Sequence, residues 1–125
     1  MLVRQRSEEK KYIVPTWRGN DKLPESEKIV VEVNTLDCAD FEYLNEARLT
    51  RSPSVIHAMS IQIFAKYVTG IRNLLLEGGL PITNGKDWIT RVAEGVMPLE
   101  MASLQGEILA ELVVISSVTK AEEKN

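Results

Sequence analysis

The stretch Lys28-Ile29-Val30-Val31-Glu32-Val33 is the clearest β-strand in the sequence, because four of its six residues are β-branched. Alternation along a strand places three of these side chains toward a core, namely Ile29, Val31 and Val33, and turns Val30 away from it. A shorter strand is predicted upstream, at Tyr12-Ile13-Val14. Because two short strands do not form a stable sheet alone, we expect helices to cover one face.

Downstream of this strand the apolar residues recur every three or four positions, which predicts helices. Either Thr35 or Asp37 can cap a first helix that ends near Arg48. Ser52-Pro53 opens a second helix, because proline is tolerated in the first turn. This second helix is apolar on almost every side and is predicted to be central and buried. It is expected to run unbroken to Glu77-Gly78-Gly79, where the glycines supply a left-handed exit.

Two further helices complete the predicted set of four. Asn84 caps a short third helix, and Pro98 starts the last one, which is expected to end at Val118. The apolar positions of the last helix face one way: Met101, Leu104, Ile108, Leu112 and Ile115. Its polar positions are expected to face solvent: Glu100, Ser103, Glu107 and Glu111. Such a division is typical of a surface helix packed on a core.

These elements predict an α+β fold that is mainly helical, with a short N-terminal antiparallel β element followed by about four helices. We expect residues 1–11 to be a flexible arm, residues 12–118 a single domain, and residues 119–125 a flexible charged tail. The predicted core consists of Ile29, Val31, Val33, Phe41, Leu44, Ile56, Met59, Ile63, Tyr67, Ile71, Leu74, Leu104, Ile108 and Leu112.

Composition narrows the class of function. The length of 125 residues fits one domain, and the 15 Lys and Arg against 18 Asp and Glu give a net charge of −3. That balance argues against nucleic-acid binding, which requires a basic surface. No apolar stretch approaches the roughly 18 residues of a membrane span, and no signal peptide is apparent. A single cysteine forms no internal disulfide, so the cytoplasm is the expected compartment.

The reactive side chains do not form a recognisable catalytic or metal site. His57 is the only histidine, and no second histidine or cysteine stands at ligand spacing, so we interpret it as an ordinary helix residue. Cys38 has no nucleophile signature around it and is predicted to be a small buried apolar residue. The glycines form no phosphate-binding loop. The sequence therefore predicts a protein that is not an enzyme and that needs neither metal nor cofactor.

Five residues are candidates for partner contact. Trp17 and Trp88 stand beside turns, where they either cover the ends of a small core or anchor an interface. Leu109, Val113 and Val114 widen the apolar face of the last helix. That widening is explained either by ordinary packing or by a surface that awaits a partner.

Three segments share features with one family. In Tyr12–Asn20 an aromatic-Gly-Asn turn is followed by Leu23-Pro24 and an acidic run, and then by the strand. Ile82–Trp88 contains an I-x-N-G turn before the C-terminal helices, and the last helix ends in the charged Glu123-Lys124-Asn125. Taken together over residues 12–125, these segments resemble the small tail assembly chaperones of long-tailed bacteriophages and related prophages.

The resemblance implies a non-catalytic function. Such chaperones bind the tape measure protein, whose long helical and partly apolar segments would aggregate before the tail tube polymerises around them, and they leave before the virion is finished. The implied partner is the tape measure protein, in the host cytoplasm, with neither nucleic acid nor membrane involved. The tail tube protein and a second copy of the chain are left open as further partners.

Two alternatives remain beside the chaperone. One is a minor structural head–tail or tail-completion protein that stays in the particle. The other is a small host regulator or toxin–antitoxin partner, which would need a target-binding element that the sequence does not display. Family members are often also made as a longer product by programmed ribosomal frameshift. Glu123-Lys124-Asn125 permits this, because GAA-AAA-AAC contains a slippery run, although an ordinary charged tail has the same residues.

Overall fold

A computed structural model of the chain describes residues 10–50, 52–76 and 78–124, without the side chains of residues 48, 50 and 118–124. It is 56% helix and 17% strand, with a small antiparallel sheet, which confirms the predicted α+β class. Along the chain the elements are β1 (Lys10–Ile13), a 3-10 helix (Trp17–Lys22), β2 (Val30–Asn34), α1 (Cys38–Thr50), α2 (Pro53–Tyr67), β3 (Val68–Arg72), β4 (Leu75–Leu76), β5 (Leu80–Pro81), α3 (Gly85–Ala93) and α4 (Met101–Lys124).

The main sheet has the order β1-β2-β3, and both pairings are antiparallel. The β-branched stretch found in the sequence forms β2, the central strand. Ile13, Val31 and Ile71 are aligned across the three strands and are buried. They face the core, where α2, α3 and α4 contact the sheet. The register shifts between Glu32 and Val33, which leaves Thr69 of β3 without a directly opposed residue.

Helices α1, α2 and α3 begin where the capping signals predict. The Asp40 backbone N–H donates to Asp37 Oδ1 at 2.8 Å, so Asp37 caps α1. Pro53 is the first residue of α2, and Asn84 Oδ1 accepts from the Asp87 N–H at 2.9 Å to cap α3. Among the predicted core residues, Phe41 and Ile56 are half-buried and all the others are buried.

The second helix is shorter than predicted. It ends at Tyr67, and the segment Val68–Arg72 is a strand instead. Helical spacing and strand alternation both place Ile71 inward, so the apolar pattern alone does not distinguish the two structures. Pairing with β2 decides in favour of a strand, because it satisfies backbone groups along an edge that would otherwise lack partners. Two β-branched residues before Gly70 favour the same outcome.

Gly78 and Gly79 form a hairpin turn, not the end of a helix. Their φ angles of +86° and +78° are left-handed, as predicted, but the residues connect β4 to β5. The prediction of one continuous helix up to these glycines is therefore wrong beyond Tyr67. Asn73, with a φ of +62°, turns the chain out of β3, and its side chain donates to the Lys28 carbonyl oxygen at 2.9 Å.

The ends of the domain differ from prediction in three places. The first strand begins at Lys10, within the segment expected to be a flexible arm, most of which lies outside the described residues. The last helix begins at Met101, after a turn in which Pro98 O accepts from the Met101 N–H at 3.0 Å. It continues through Lys124, past the predicted end at Val118, because Lys, Ala and Glu are good helix formers. No helix in the described ranges combines the length and apolar character of a membrane span.

Candidate functional site

The outer face of the β1-β2-β3 sheet carries a groove of about 470 Å³. Its lining consists of Tyr12, Val30, Glu32, Gly70, Ile71, Arg72 and Thr83. The strand register explains this composition, since Tyr12 is opposite Glu32, Glu32 is opposite Gly70, and Val30 is opposite Arg72. Tyr12, Val30, Glu32 and Arg72 alternate with the core-facing residues, so their side chains project from the other face of the sheet.

An aromatic ring and a guanidinium group meet at the centre of this groove. Tyr12 is 56% exposed, and the Arg72 guanidinium lies 5.9 Å from the centroid of its ring, within cation–π range. In the part of the chain that the structure describes, no carboxylate pairs with Arg72. The pair therefore presents a π-face and an unneutralised positive charge to solvent.

Among the described residues of β1, β2 and β3, the carboxylate that projects from this face is that of Glu32, and it already has partners. Glu32 Oε1 accepts a hydrogen bond from Thr69 Oγ1 at 2.8 Å and lies 4.0 Å from Lys10 Nζ. Thr69 is able to reach it because the bulge in β3 displaces that residue from the regular register. Among the described side chains of the three strands on this face, Lys10 and Arg72 thus outnumber Glu32 in charge.

Apolar groups complete the surface. Val30 was expected to face away from the core, and it does so, but it is only 8% exposed. Its burial follows from its place in the groove, beside Tyr12 and Arg72. Val14, which is 42% exposed, continues the outward set two residues after Tyr12. The outer face is therefore a mixed aromatic, aliphatic and basic surface, unlike an ordinary solvated sheet face, which is mostly polar.

A second cluster of charged groups connects α1 to α2. The buried Asp40 carboxylate accepts from the Tyr67 hydroxyl at 2.5 Å and from Lys66 Nζ at 2.8 Å. Lys66 also reaches Asp37 at 3.3 Å, and Gln62 Nε2 lies 3.4 Å from the other Asp40 oxygen. The buried carboxylate thus has partners on both oxygens, which is typical of a structural network.

The pKa values in this cluster move in the directions that hold it together. Burial, followed by the hydrogen bond to Asp40, raises the pKa of Tyr67 to about 12. The hydrogen bond to Asp40 raises the pKa of Lys66, and the Asp40 backbone N–H lowers the pKa of Asp37. Each shift favours the charge state that makes the observed contacts. The pKa shifts of Tyr67, Lys66 and Asp37 all lead away from neutral pH, where a general acid or base works best.

The polar face of α4 is not simply solvated. Glu107 accepts hydrogen bonds from the Thr16 backbone N–H at 2.6 Å and from the Thr16 hydroxyl at 2.9 Å. Trp17 Nε1 donates to Ser103 Oγ at 3.0 Å. One turn earlier, the Arg18 guanidinium pairs with Glu100 at 2.6 Å while it also stacks on the Trp17 ring. Glu100, Ser103 and Glu111 are exposed as predicted, although Glu100 and Ser103 also contact the loop after β1. Glu107 is half-buried by its hydrogen bonds to Thr16.

Three of the five residues predicted to contact a partner are buried. Trp88 is 0% exposed, packs edge-on against Phe64 and donates from Nε1 to Gln105 at 2.9 Å. Leu109 and Val113 belong to the core because α4 is covered on more than one side. The prediction that these three residues contact a partner is therefore wrong for the folded chain. Trp17 is half-buried against α4, and Val114 is 54% exposed.

The two candidate reactive residues both lie on the surface. Cys38 is exposed at the start of α1, with Sγ 3.9 Å from Glu42 Oε1, so the prediction that it is buried is wrong. It occupies the first helical position, whose side chain points away from the core that Leu44 enters. His57 is exposed on α2. Within the described ranges no three His, Cys, Asp or Glu side chains are grouped as metal ligands.

The groove residues were not identified from the sequence as a site. Alternation did place Tyr12 and Val14 on one side of a strand, which was the available signal. Arg72, however, was assigned to a helix, so no pairing with Tyr12 was foreseeable. Their proximity depends on β2, which brings residues 12 and 72 to neighbouring positions across two strand pairings.

Comparison of this chain with protein-family models, curated proteins and solved structures returns no match, so no relative assigns a function to any of these residues.

Proposed function

We propose that this protein is a bacteriophage tail assembly chaperone that binds the tape measure protein and keeps it soluble during tail morphogenesis. It acts by binding rather than by catalysis, in the cytoplasm of the host, and is absent from the finished virion. The proposal begins from the resemblance of residues 12–125 to that family. Its structural support is the exposed outer sheet face.

Residues in the segments that carry the resemblance stabilise turns and helix contacts in this fold. Asn20 is buried, and its Nδ2 donates to the carbonyl oxygens of Pro15 and Ile29 at 2.8 and 3.0 Å. Its Oδ1 accepts from the Ile29 N–H at 2.6 Å, so one side chain closes the loop between β1 and β2. Asn84 caps α3, and Gly85 packs against the Phe64 carbonyl. These residues therefore stabilise a loop and a helix start in this fold.

One observation carries the binding function: the sheet is covered by helices on its inner face and exposes aromatic, aliphatic and basic groups on the other. Tyr and Arg are enriched in the residues that dominate binding energy at protein interfaces. Tyr12 and Arg72 combine both types in one exposed contact. A surface of this composition fits the binding of a partly apolar protein segment.

The experiment is co-expression of the tape measure protein from the same genome with and without this chain, followed by fractionation of the lysate. We expect the tape measure protein to be soluble and to co-purify with this chain only when both are present. Equal solubility in the two cases, with nothing co-purifying, would contradict the proposal. Mass spectrometry of purified virions is the second measurement, and a fixed copy number in finished particles would favour a structural head–tail or tail-completion protein instead.

A further inference from the structure

We propose that the groove on the outer sheet face is the docking surface of this protein, and that its occupant is an amphipathic helix of the tape measure protein whose apolar stripe is flanked by a carboxylate. This inference rests on the proposed function, and it specifies the surface and the chemistry of the segment that binds there.

The positive charge of the groove face favours a partner helix that carries a carboxylate beside its apolar stripe. Among the described strand residues of this face, Arg72 and Lys10 contribute two positive charges, and Glu32 contributes one negative charge that Thr69 and Lys10 already contact. A carboxylate placed beside Arg72 would pair with a guanidinium whose cation–π contact with Tyr12 already limits its freedom. The whole chain carries a net charge of −3, so this face differs in sign from the average of the protein. An acidic partner would therefore be steered to this face and away from the remainder.

The apolar side chains of the groove favour a partner helix with an apolar stripe next to its acidic flank. Tyr12 and Val14 expose ring and methyl surface, and Val30 forms part of the groove floor between Tyr12 and Arg72. Gly70, opposite Glu32, presents no side chain, so an incoming residue is able to approach the backbone of β3 at that point. A leucine-sized or methionine-sized side chain fits a groove of about 470 Å³ that is open to solvent.

The width of the sheet fits a helix as the occupant. Three strands spaced about 4.8 Å apart form a strip roughly 10 Å wide, which matches the diameter of an α-helix. The far edge of β3 is partly occupied, because the Ile71 N–H donates to the Thr83 carbonyl oxygen at 2.8 Å. An added strand is therefore disfavoured on that side. A helix across the open face would instead produce a three-layer arrangement in which both faces of the sheet are covered.

The test is co-purification of the tape measure protein with two variants of the full-length chain. Tyr12→Thr removes the ring but keeps a residue suited to a strand, and Arg72→Glu reverses the charge. We expect each to weaken binding by at least about tenfold, the effect of losing a dominant interface residue. Leu99→Ser is the matched control, since Leu99 is 91% exposed, lies before α4 and is outside the groove. It should bind as the wild type does. Thermal unfolding of all three variants establishes that they are folded.

The outcomes separate the docking surface from the function. If the wild type does not bind the tape measure protein, the proposed function fails, and the docking surface fails with it. If the wild type binds and both groove variants bind equally well, the function stands and the docking surface is overturned. If sedimentation shows a dimer that Tyr12→Thr and Arg72→Glu both dissociate, the groove is occupied by a second copy, which also overturns the proposal. Rescue of Arg72→Glu by a Glu→Arg change in the bound tape-measure segment would support it directly.

Discussion

Gly85 shows how one residue determines the contact between two helices. It is the first residue of α3, and a Cβ built on it would lie 1.8 Å from the carbonyl oxygen of Phe64 and 2.6 Å from its carbonyl carbon. The same oxygen accepts the Val68 N–H that closes α2. Because the obstructing atoms belong to the backbone, a side chain at residue 85 would force α2 and α3 apart.

We therefore expect Gly85→Ala to lower the free energy of unfolding by about 1–3 kcal/mol, the usual range for overpacking a tight contact. Gly106→Ala is the matched control, because Gly106 lies within α4 and nothing stands within 4 Å of its added Cβ. That change should stabilise the protein by roughly 0.5–1 kcal/mol through helix propensity. Urea titration of both variants measures the difference, and equal stabilities would show that α3 does not pack on Phe64 as described.

Cys38 and His57 provide a second test at the same scale. Both are exposed, so Cys38→Ser and His57→Ala should each change the free energy of unfolding by less than about 0.5 kcal/mol. Binding of the tape measure protein should be unaffected, because neither residue lies in the groove. Stoichiometric zinc in protein purified without added metal would contradict this expectation, as would loss of binding by a folded His57→Ala variant.

At the scale of elements, α4 connects the N-terminal segment to the helical layer. Thr16 and Trp17 hydrogen bond to its polar side, and Arg18 bonds to Glu100 just before its first residue. All three lie at the start of the loop that Asn20 closes. The contacts with Glu107 are made by both the backbone and the hydroxyl of Thr16, so this carboxylate anchors the direction in which the chain leaves β1.

Glu107→Ala is expected to cost about 1.5–3 kcal/mol, because it removes hydrogen bonds to a charged group. The control is Glu111→Ala, one turn later on the same helix, where the side chain is exposed. That substitution should stay within about 0.5 kcal/mol of the wild type. Chemical denaturation of the two variants is the measurement. If they lose the same amount, the turn is not held by Glu107.

The network between α1 and α2 predicts a dependence on alkaline pH. Tyr67 has a pKa raised from 10.0 to about 12, so the unfolded chain ionises first. The stability that the neutral phenol contributes is fully present below pH 10 and is lost as pH rises toward 12. The loss should be on the order of 2 kcal/mol, from 1.36 kcal/mol for each pKa unit.

Tyr67→Phe should be less stable than the wild type at pH 8, because the hydrogen bond to Asp40 is missing, yet it should lose less stability between pH 10 and 12. Tyr12→Phe is the control and should decline as the wild type does, since Tyr12 is mostly exposed. Urea midpoints at pH 8, 10 and 12 measure the effect. Parallel declines in wild type and Tyr67→Phe would contradict the assigned cause.

At the scale of the whole molecule, the protein has one core and an asymmetric sheet. Buried residues of β1, β2, β3 and the four α-helices form a single cluster, so the inner face of the sheet is fully used. The outer face is not packed against this core, and it holds the groove. The chain is therefore built as two layers, with the surface that we propose for binding on the side opposite the helices.

Association through this surface should depend weakly on salt. Apolar burial is not screened by salt, whereas the proposed ion pair with Arg72 is, so salt should weaken only that part of the binding. We therefore expect affinity for the tape measure protein to fall by less than about tenfold when salt rises from roughly 0.05 to 0.5 M. Titration calorimetry at several salt concentrations measures this. A loss of several orders of magnitude would mean that charge, not apolar contact, holds the complex together.

The sequence by itself determined the features that depend on local chemistry. Asp37, Pro53 and Asn84 mark helix starts because capping is an interaction within one turn. The β-branched run of β2 and the buried stripes of α2 and α4 follow from periodicity, which any chain segment displays without its partners.

Only the tertiary structure decided the features that require two distant segments. Val68–Arg72 became a strand because β2 offered an edge, and the helical spacing of Ile71 could not reveal that competition. Trp88, Leu109 and Val113 were candidates for a partner until the core enclosed them. The groove exists for the same reason: residues 12 and 72 are sixty positions apart in the chain, and strand pairing alone makes them neighbours. Local signals carry no information about such pairings, because the free energy that selects them appears only when both segments are in contact.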